Sequence, residues 1–154
     1  LKHRLYESPW CRQYILEQFK QQGVKAERIH FYVASPYLDY LKFYQAMDLI
    51  LDPFPYHGGL VSCDALWMGV PMITMAQWTR GGESLLRQID FTEGIASNSE
   101  AYITQALEIL EHRDIRRTAA QNFRAQMRKS AICHPSQMSQ GIVQHAKQLL
   151  ARLD

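Results

Sequence analysis

The chain has 154 residues, 47% of them apolar, and a net charge of +2 from 17 basic and 15 acidic side chains. That length predicts one domain with a core of ordinary size, and the balanced charge argues against a dedicated nucleic-acid binder. No apolar run approaches the roughly 18 residues of a membrane span. Cys11, Cys63 and Cys133 are far apart and read as reduced thiols of a cytoplasmic protein. The histidines and cysteines show no metal-ligand spacing.

Taken in order, Leu1-Lys2 reads as the end of a strand whose beginning lies upstream. Ser8-Pro9 is a helix start, with serine at N-cap and proline at N1. Cys11, Ile15, Leu16 and Phe19 mark the buried face of that helix, and Gly23 closes it. Ile29 to Val33 reads as a strand. Ser35-Pro36 repeats the serine-proline start for a helix from Tyr37 to Met47, with Leu38 and Leu41 on one line. Leu49 to Leu51 is the next strand. The β-α-β alternation predicts parallel strands joined by right-handed crossovers.

After Leu51, Pro53 and Pro55 stop the strand, because proline has no N–H for a ladder. Gly58-Gly59 predicts a sharp turn with positive φ and room for a ligand. From Leu60 the pattern is helical, with Val61, Ala65 and Met68 at helical spacing and Gly69 as the stop. Pro71 to Met75 is the following strand. Such a turn lies at the carboxyl end of a strand, where open α/β sheets bind ligands. The new helix offers unpaired N–H groups and a positive dipole end there, which suits a phosphate.

The remaining chain reads as helical, with a brief strand near Ile95. A short helix covers Glu83 to Ile89. Asn98 and its neighbouring serines cap a helix with Ile103, Ala106, Leu107 and Leu110 inward. Asp114 caps the next, where Ile115, Ala119, Phe123 and Met127 step by four. After His134-Pro135, Ser136 caps a last helix with Met138, Ile142, Val143, Ala146, Leu149 and Leu150 inward. The fold class is therefore α/β and Rossmann-like, a mainly parallel sheet with helices on both faces and a C-terminal helical extension. Residues 1–154 read as one domain, lacking one or more N-terminal strands.

The run Asp52-Pro53-Phe54-Pro55-Tyr56, Gly58, Cys63-Asp64-Ala65-Leu66-Trp67-Met68-Gly69-Val70-Pro71 and Ile73-Thr74 resembles the nucleotide-sugar-binding half of the O-linked N-acetylglucosamine transferases. That family includes the plant SPINDLY type. The resemblance runs from about Arg28 to the end of the chain. It implies one half of a two-domain (GT-B) enzyme, a uridine-diphosphate (UDP) sugar as donor, a protein as acceptor, a cytoplasmic setting, and no metal or nicotinamide cofactor. It also implies that the main catalytic groups, among them a lysine, lie in the missing N-terminal half.

Individual residues carry these expectations. Backbone amides of Gly59, Leu60 and Val61, after the Gly58 turn, with the hydroxyl of Ser62, would hold the diphosphate. Relatives place threonines at Leu60 and Val61 and often histidine at Gly59, so backbone contacts survive here and side-chain hydroxyl contacts do not. Asp64, one turn into the helix, is either a partner for the helix dipole or the acceptor for ribose hydroxyls; relatives have an acidic residue there. Ser35, Tyr37 and Tyr40 match the segment that holds uracil, with Tyr40 in place of a histidine; a half-buried helix tyrosine is the plainer reading. Arg80, ahead of Ser84-Leu85-Leu86 as in relatives, is either a salt-bridge partner or a contact to sugar or phosphate. His57 is a possible polar contact in a loop, where a lone histidine is usually exposed to solvent. Two other readings stand beside the transferase. One is a non-catalytic nucleotide-sugar or protein-interaction module with the same fold. The other is a different GT-B enzyme, such as a nucleotide-sugar epimerase.

Overall fold

A computed structural model of the chain describes residues 1–33 and 35–152. They form two compact units, Leu1–Lys42 and Phe43–Asp154.

In the first unit, helix α1 (Pro9–Gln21) starts at Ser8 with proline at N1. Its closing turn runs through Gly23, whose φ of 76° is easily adopted only without a Cβ. Cys11, Ile15 and Phe19 are half-buried rather than fully enclosed. The strand expected at Ile29–Val33 is reduced to a single parallel bridge between Lys2 and Tyr32. Leu1 and Lys2 therefore do pair with that segment, His3 N–H and Tyr32 N–H closing the bridge at 3.1 and 2.8 Å. Helix α2 (Tyr37–Phe43) is shorter than the periodicity suggested, because the chain tightens into a 3-10 turn at Tyr44–Ala46.

The second unit holds the sheet. Strands β1 (Ile50–Leu51), β2 (Met72–Met75) and β3 (Ile95–Ala96) pair in parallel in the order β1-β2-β3. All four residues of β2 are buried, as expected of a parallel strand covered on both faces. Successive side chains of a strand point to opposite faces, and β2 uses both. Met72 joins a core of Leu66, Leu86, Ile89, Phe91, Ile109, Ala119, Phe123 and Met127. Its neighbour Ile73 packs with Ala96 and Ala106. The large core is built by α3 (Leu60–Trp67), α4 (Gly81–Gln88), α5 (Ser99–Glu111) and α6 (Arg113–Lys129).

Helix α3 ends as expected. Gly69 has φ 79°, and the N–H groups of Gly69 and Val70 return to the carbonyls of Leu66 and Ala65. A Cβ on Gly69 would stand 2.6 Å from the Ala120 Cα, so this glycine also lets α3 and α6 approach closely. Asn98 caps α5 by accepting from the Ala101 N–H at 2.9 Å, whereas α6 begins one residue before Asp114, which sits in its first turn.

In three helices burial departs from the apolar spacing. In α3 the buried residues are Ser62, Ala65 and Leu66, while Val61 is exposed. In α5 Ala106 and Ile109 face the core, and Ile103, Leu107 and Leu110 are exposed. Helix α7 (Pro135–Leu150) follows His134 with proline at N1, so Ser136 is not its cap. It buries no residue, and Met138, Ile142, Val143, Leu149 and Leu150 are all exposed. Apolar spacing identifies the stripe of a helix but not whether another element covers it.

Candidate functional site

The turn between β1 and α3 is built around a buried carboxylate. Asp52 ends the β1 segment, its N–H bonded to the Ile73 carbonyl at 3.0 Å, and its residue is 1% exposed. A charge so placed needs partners, and it has several. Oδ1 accepts from the Gly58 N–H at 2.8 Å, and Oδ2 accepts from Thr74 Oγ1 at 2.7 Å. His57 Nδ1 lies 2.7 Å from Oδ2. Ser62 Oγ is 3.5 Å from Oδ1. The Asp52 carbonyl accepts from the Tyr102 hydroxyl at 3.1 Å. Burial, with the Asp52 charge near by, pushes the Tyr102 phenol up to about 12.

Two glycines make this crowding possible. A Cβ on Gly58 would stand 2.4 Å from Ser62 Oγ, and one on Gly82 would stand 2.1 Å from Thr74 Oγ1. Helices α3 and α4 thus both start against the Asp52 cluster. Neither Gly58 nor Gly59 has positive φ, so that part of the expected turn is corrected. The requirement at Gly58 is close approach. Gly59 is the N-cap of α3 with φ −100° and ψ −100°. A Cβ there meets nothing within 4 Å.

The start of α3 lies directly after the expected turn, and one of its side chains departs from expectation. No side chain caps this helix among the described residues, and the first amides of any helix lack an intrahelical acceptor. Leu60 and Val61 are 83% and 57% exposed. Ser62 points the other way. It is buried, with its hydroxyl toward Asp52. Asp64 is half-buried on the same helix.

Arg80 takes the salt-bridge role. Its Nε and Nη2 donate to Glu83 Oε2 and Oε1 at 2.8 and 2.9 Å, and Arg87 Nε donates to Oε1 at 2.8 Å. These two guanidinium groups hold the Glu83 carboxyl down to about 2. His57 is not a solvent-exposed loop histidine. Its side chain is 5% exposed, and its Nε2 lies 2.8 Å from the Thr79 carbonyl.

Ser35, Tyr37 and Tyr40 belong to the first unit. Lys2 Nζ donates to Ser35 Oγ at 2.9 Å and lies 5.2 Å from the centre of the Tyr40 ring. The Tyr37 and Tyr40 rings are 6.0 Å apart. Trp67 is partly buried against the large core, with Arg124 and Arg128 over its ring. No group of three or more metal-ligating side chains occurs among the described residues. No helix among them is long and apolar enough to cross a membrane.

Sequence reasoning named Asp52 and Thr74 only as part of the family motif, with no role of their own, and did not single out Thr79 or Tyr102. An aspartate at a strand end, just before a proline-rich turn, is the one signal that could have drawn attention to the cluster.

A strand-turn-helix of this form, with the residues quoted above, is matched by the sequence profile of glycosyl transferase family 41 over residues 9–141. The chain belongs to glycosyl transferase family 41. The match begins well before Arg28, so the likeness reaches further toward the N-terminus than the motifs alone indicated.

The relatives within family 41 agree. The chain is 29% identical over 138 residues to a Petunia hybrida protein named "Probable UDP-N-acetylglucosamine--peptide N-acetylglucosaminyltransferase SPINDLY", covering 85% of this chain and 14% of that one. It is 32% identical over 140 residues to the protein of the same name from Eustoma exaltatum subsp. russellianum, covering 81% of this chain and 14% of the other. Among solved structures, an O-GlcNAc transferase mutant from Thermobaculum terrenum matches with a TM-score of 0.76 at 29% identity, over 80% of this chain and 24% of that one. The fold is thus that of a Rossmann-like part of a GT-B glycosyltransferase. The chain spans about one-seventh of the length of these curated relatives.

Proposed function

We propose that this chain is the donor-binding portion of an inverting protein glycosyltransferase that takes a UDP-sugar. The observation that carries the reading is the start of α3. It is a helix N-terminus without a side-chain cap, directly after the carboxyl end of β1, in a family 41 chain. The amides of Gly59, Leu60 and Val61 would hold the diphosphate, and Asp64 would accept from ribose hydroxyls. Ser62, expected to add its hydroxyl, drops out of this set: the hydroxyl is turned to Asp52, and its N–H returns to the Gly59 carbonyl at 3.1 Å. Arg80, expected as a salt-bridge partner or a contact to sugar or phosphate, has its guanidinium engaged with Glu83. The base-side role of Ser35, Tyr37 and Tyr40 remains what the resemblance implies, and a Tyr40→Ala titration tests it by itself.

The chemistry follows from charge. As the glycosidic bond to the donor breaks, negative charge grows on the leaving diphosphate. Oriented backbone dipoles aimed at that charge stabilise it without reorganising. This reading calls on no metal ion or nicotinamide. The acceptor protein and the groups that act on it are assigned to the other half of the longer enzyme. The cytoplasm is the setting that goes with this reading, and the three free cysteines are in keeping with it.

One observation favours the non-catalytic module. Leu60 and Val61 put exposed apolar side chains where relatives carry threonine hydroxyls. Calorimetric titration with uridine, adenosine and guanosine diphosphates separates nucleotide binding from a protein-interaction module. Selective binding of UDP is the expected result. No binding of any nucleotide would leave the protein-interaction module.

A further inference from the structure

His57 sits where two chain segments meet. On one side is the turn leading to α3, with His57 two residues before the N-cap Gly59. On the other is the loop leading to α4, with Thr79 one residue before the N-cap Arg80. The ring spans the gap, Nδ1 being 2.7 Å from Asp52 Oδ2 and Nε2 2.8 Å from the Thr79 carbonyl. A second tie runs beside it, from Thr79 Oγ1 to the Pro55 carbonyl at 2.7 Å.

Of the three atoms facing the ring, two only accept; the third, Thr74 Oγ1 at 3.2 Å from Nδ1, gives its one proton to Asp52 Oδ2 at 2.7 Å. A backbone carbonyl only accepts, and Asp52 already accepts from Thr74 Oγ1 and the Gly58 N–H. A neutral imidazole has one N–H and one bare nitrogen, so it satisfies one end and leaves the other facing an oxygen lone pair. A ring with a proton on each nitrogen satisfies both. With 5% of the side chain exposed, water cannot readily make up the difference.

We propose that His57 is a positioning residue of the donor site, clamping the starts of α3 and α4 together in its doubly protonated form. The proposal rests on the donor-site reading above. His57 touches no reacting atom. It acts through the amides of Gly59, Leu60 and Val61, which follow it directly, so UDP affinity is highest where the ring carries both protons and falls as pH rises and one is lost. The titratable groups on the elements around the ring are Asp52 beyond β1, Cys63 and Asp64 on α3, Arg80, Glu83 and Arg87 about α4, and Tyr102 on α5. Strand β2 faces the ring with the uncharged Thr74.

The test is calorimetric titration of the whole chain with UDP, from about pH 5.5 to 8, on wild type and His57→Asn. The asparagine amide can donate to Asp52, cannot span to Thr79, and does not titrate. UDP changes its own charge in this range, but identically for both proteins, so the ratio of affinities isolates the ring. At the acid end the variant should bind roughly tenfold more weakly than wild type, as expected for losing a hydrogen bond from a charged donor. That ratio should shrink toward one as pH rises. Nitrogen-15 NMR of wild type needs no variant, and should show protons on both His57 ring nitrogens at the acid end.

A ratio that is flat with pH overturns the proposal. So does a ring with one bare nitrogen throughout the range in which UDP binds. If wild type binds no UDP at any pH, the donor-site reading itself fails and the positioning role falls with it.

Discussion

Gly82 lies so close to Asp52 that a Cβ on it would stand 2.5 Å from the carboxylate Oδ2. The start of α4 is thus pressed onto the buried acid at the end of β1, and only a residue without a side chain permits it. Gly82→Ala should force the two apart and destabilise the second unit by about 1–3 kcal/mol or more, the usual cost of overpacking. Urea denaturation of the variant checks this. A stability equal to wild type would show that the contact has slack.

Thr74 gives the same cluster one of its donors. Thr74→Val keeps the shape of the side chain and removes the hydroxyl that bonds Asp52 Oδ2 at 2.7 Å. With Asp52 almost wholly buried, the loss should cost about 1.5–3 kcal/mol, the range for hydrogen bonds to charged groups. The same denaturation experiment reads it.

Stability in acid should report on Glu83. Its carboxyl is held at about 2, below its ordinary value of 4.5, first by the hydrogen bond from Arg80 and then by that from Arg87. A depressed carboxylate stabilises the fold fully above the ordinary value, and that contribution is lost as pH falls toward about 2. Both arginines are largely exposed, so solvent screens the effect. Thermal melts of wild type should therefore drop more steeply below pH 4.5 than those of Glu83→Gln. Parallel curves would contradict the assignment.

The parts of the fold that could be read from sequence are those where one rule decides. Ile115, Ala119, Phe123 and Met127 step by four along α6, and the last three are buried because that face lies on the core. Strand β2 was legible as a short apolar run between Pro71 and a polar loop. The stripes of α5 and α7 were misjudged for a physical reason. Periodicity reports that a helix has an apolar side, while burial depends on a neighbour that sequence spacing does not name. The same limit applies at the site. The Gly58-Gly59 turn and the start of α3 were legible because glycine and helix spacing are local signals. The Asp52 cluster was not, since it joins β1, β2, α5 and the loop before α4. Its longest link, from Tyr102 to Asp52, crosses 50 residues. His57 looked exposed for the same reason, because its burying partner Thr79 is 22 residues away.

The diphosphate site at the start of α3 is the central claim, and titration of UDP against wild type, Asp64→Asn and Gly59→Val tests it most directly. Asp64→Asn should weaken binding by on the order of 1–3 kcal/mol, through an impaired hydrogen bond to ribose. Gly59→Val should weaken it more. A Cβ at Gly59 meets nothing within 4 Å in the chain, so the added methyls would occupy the open space where the phosphates are placed. Both variants should melt like wild type, since neither change fills the core. The account predicts measurable UDP binding by wild type and weaker binding by both variants, in that order. Unchanged affinity in both would contradict it and leave Gly58-Gly59 as a structural bend.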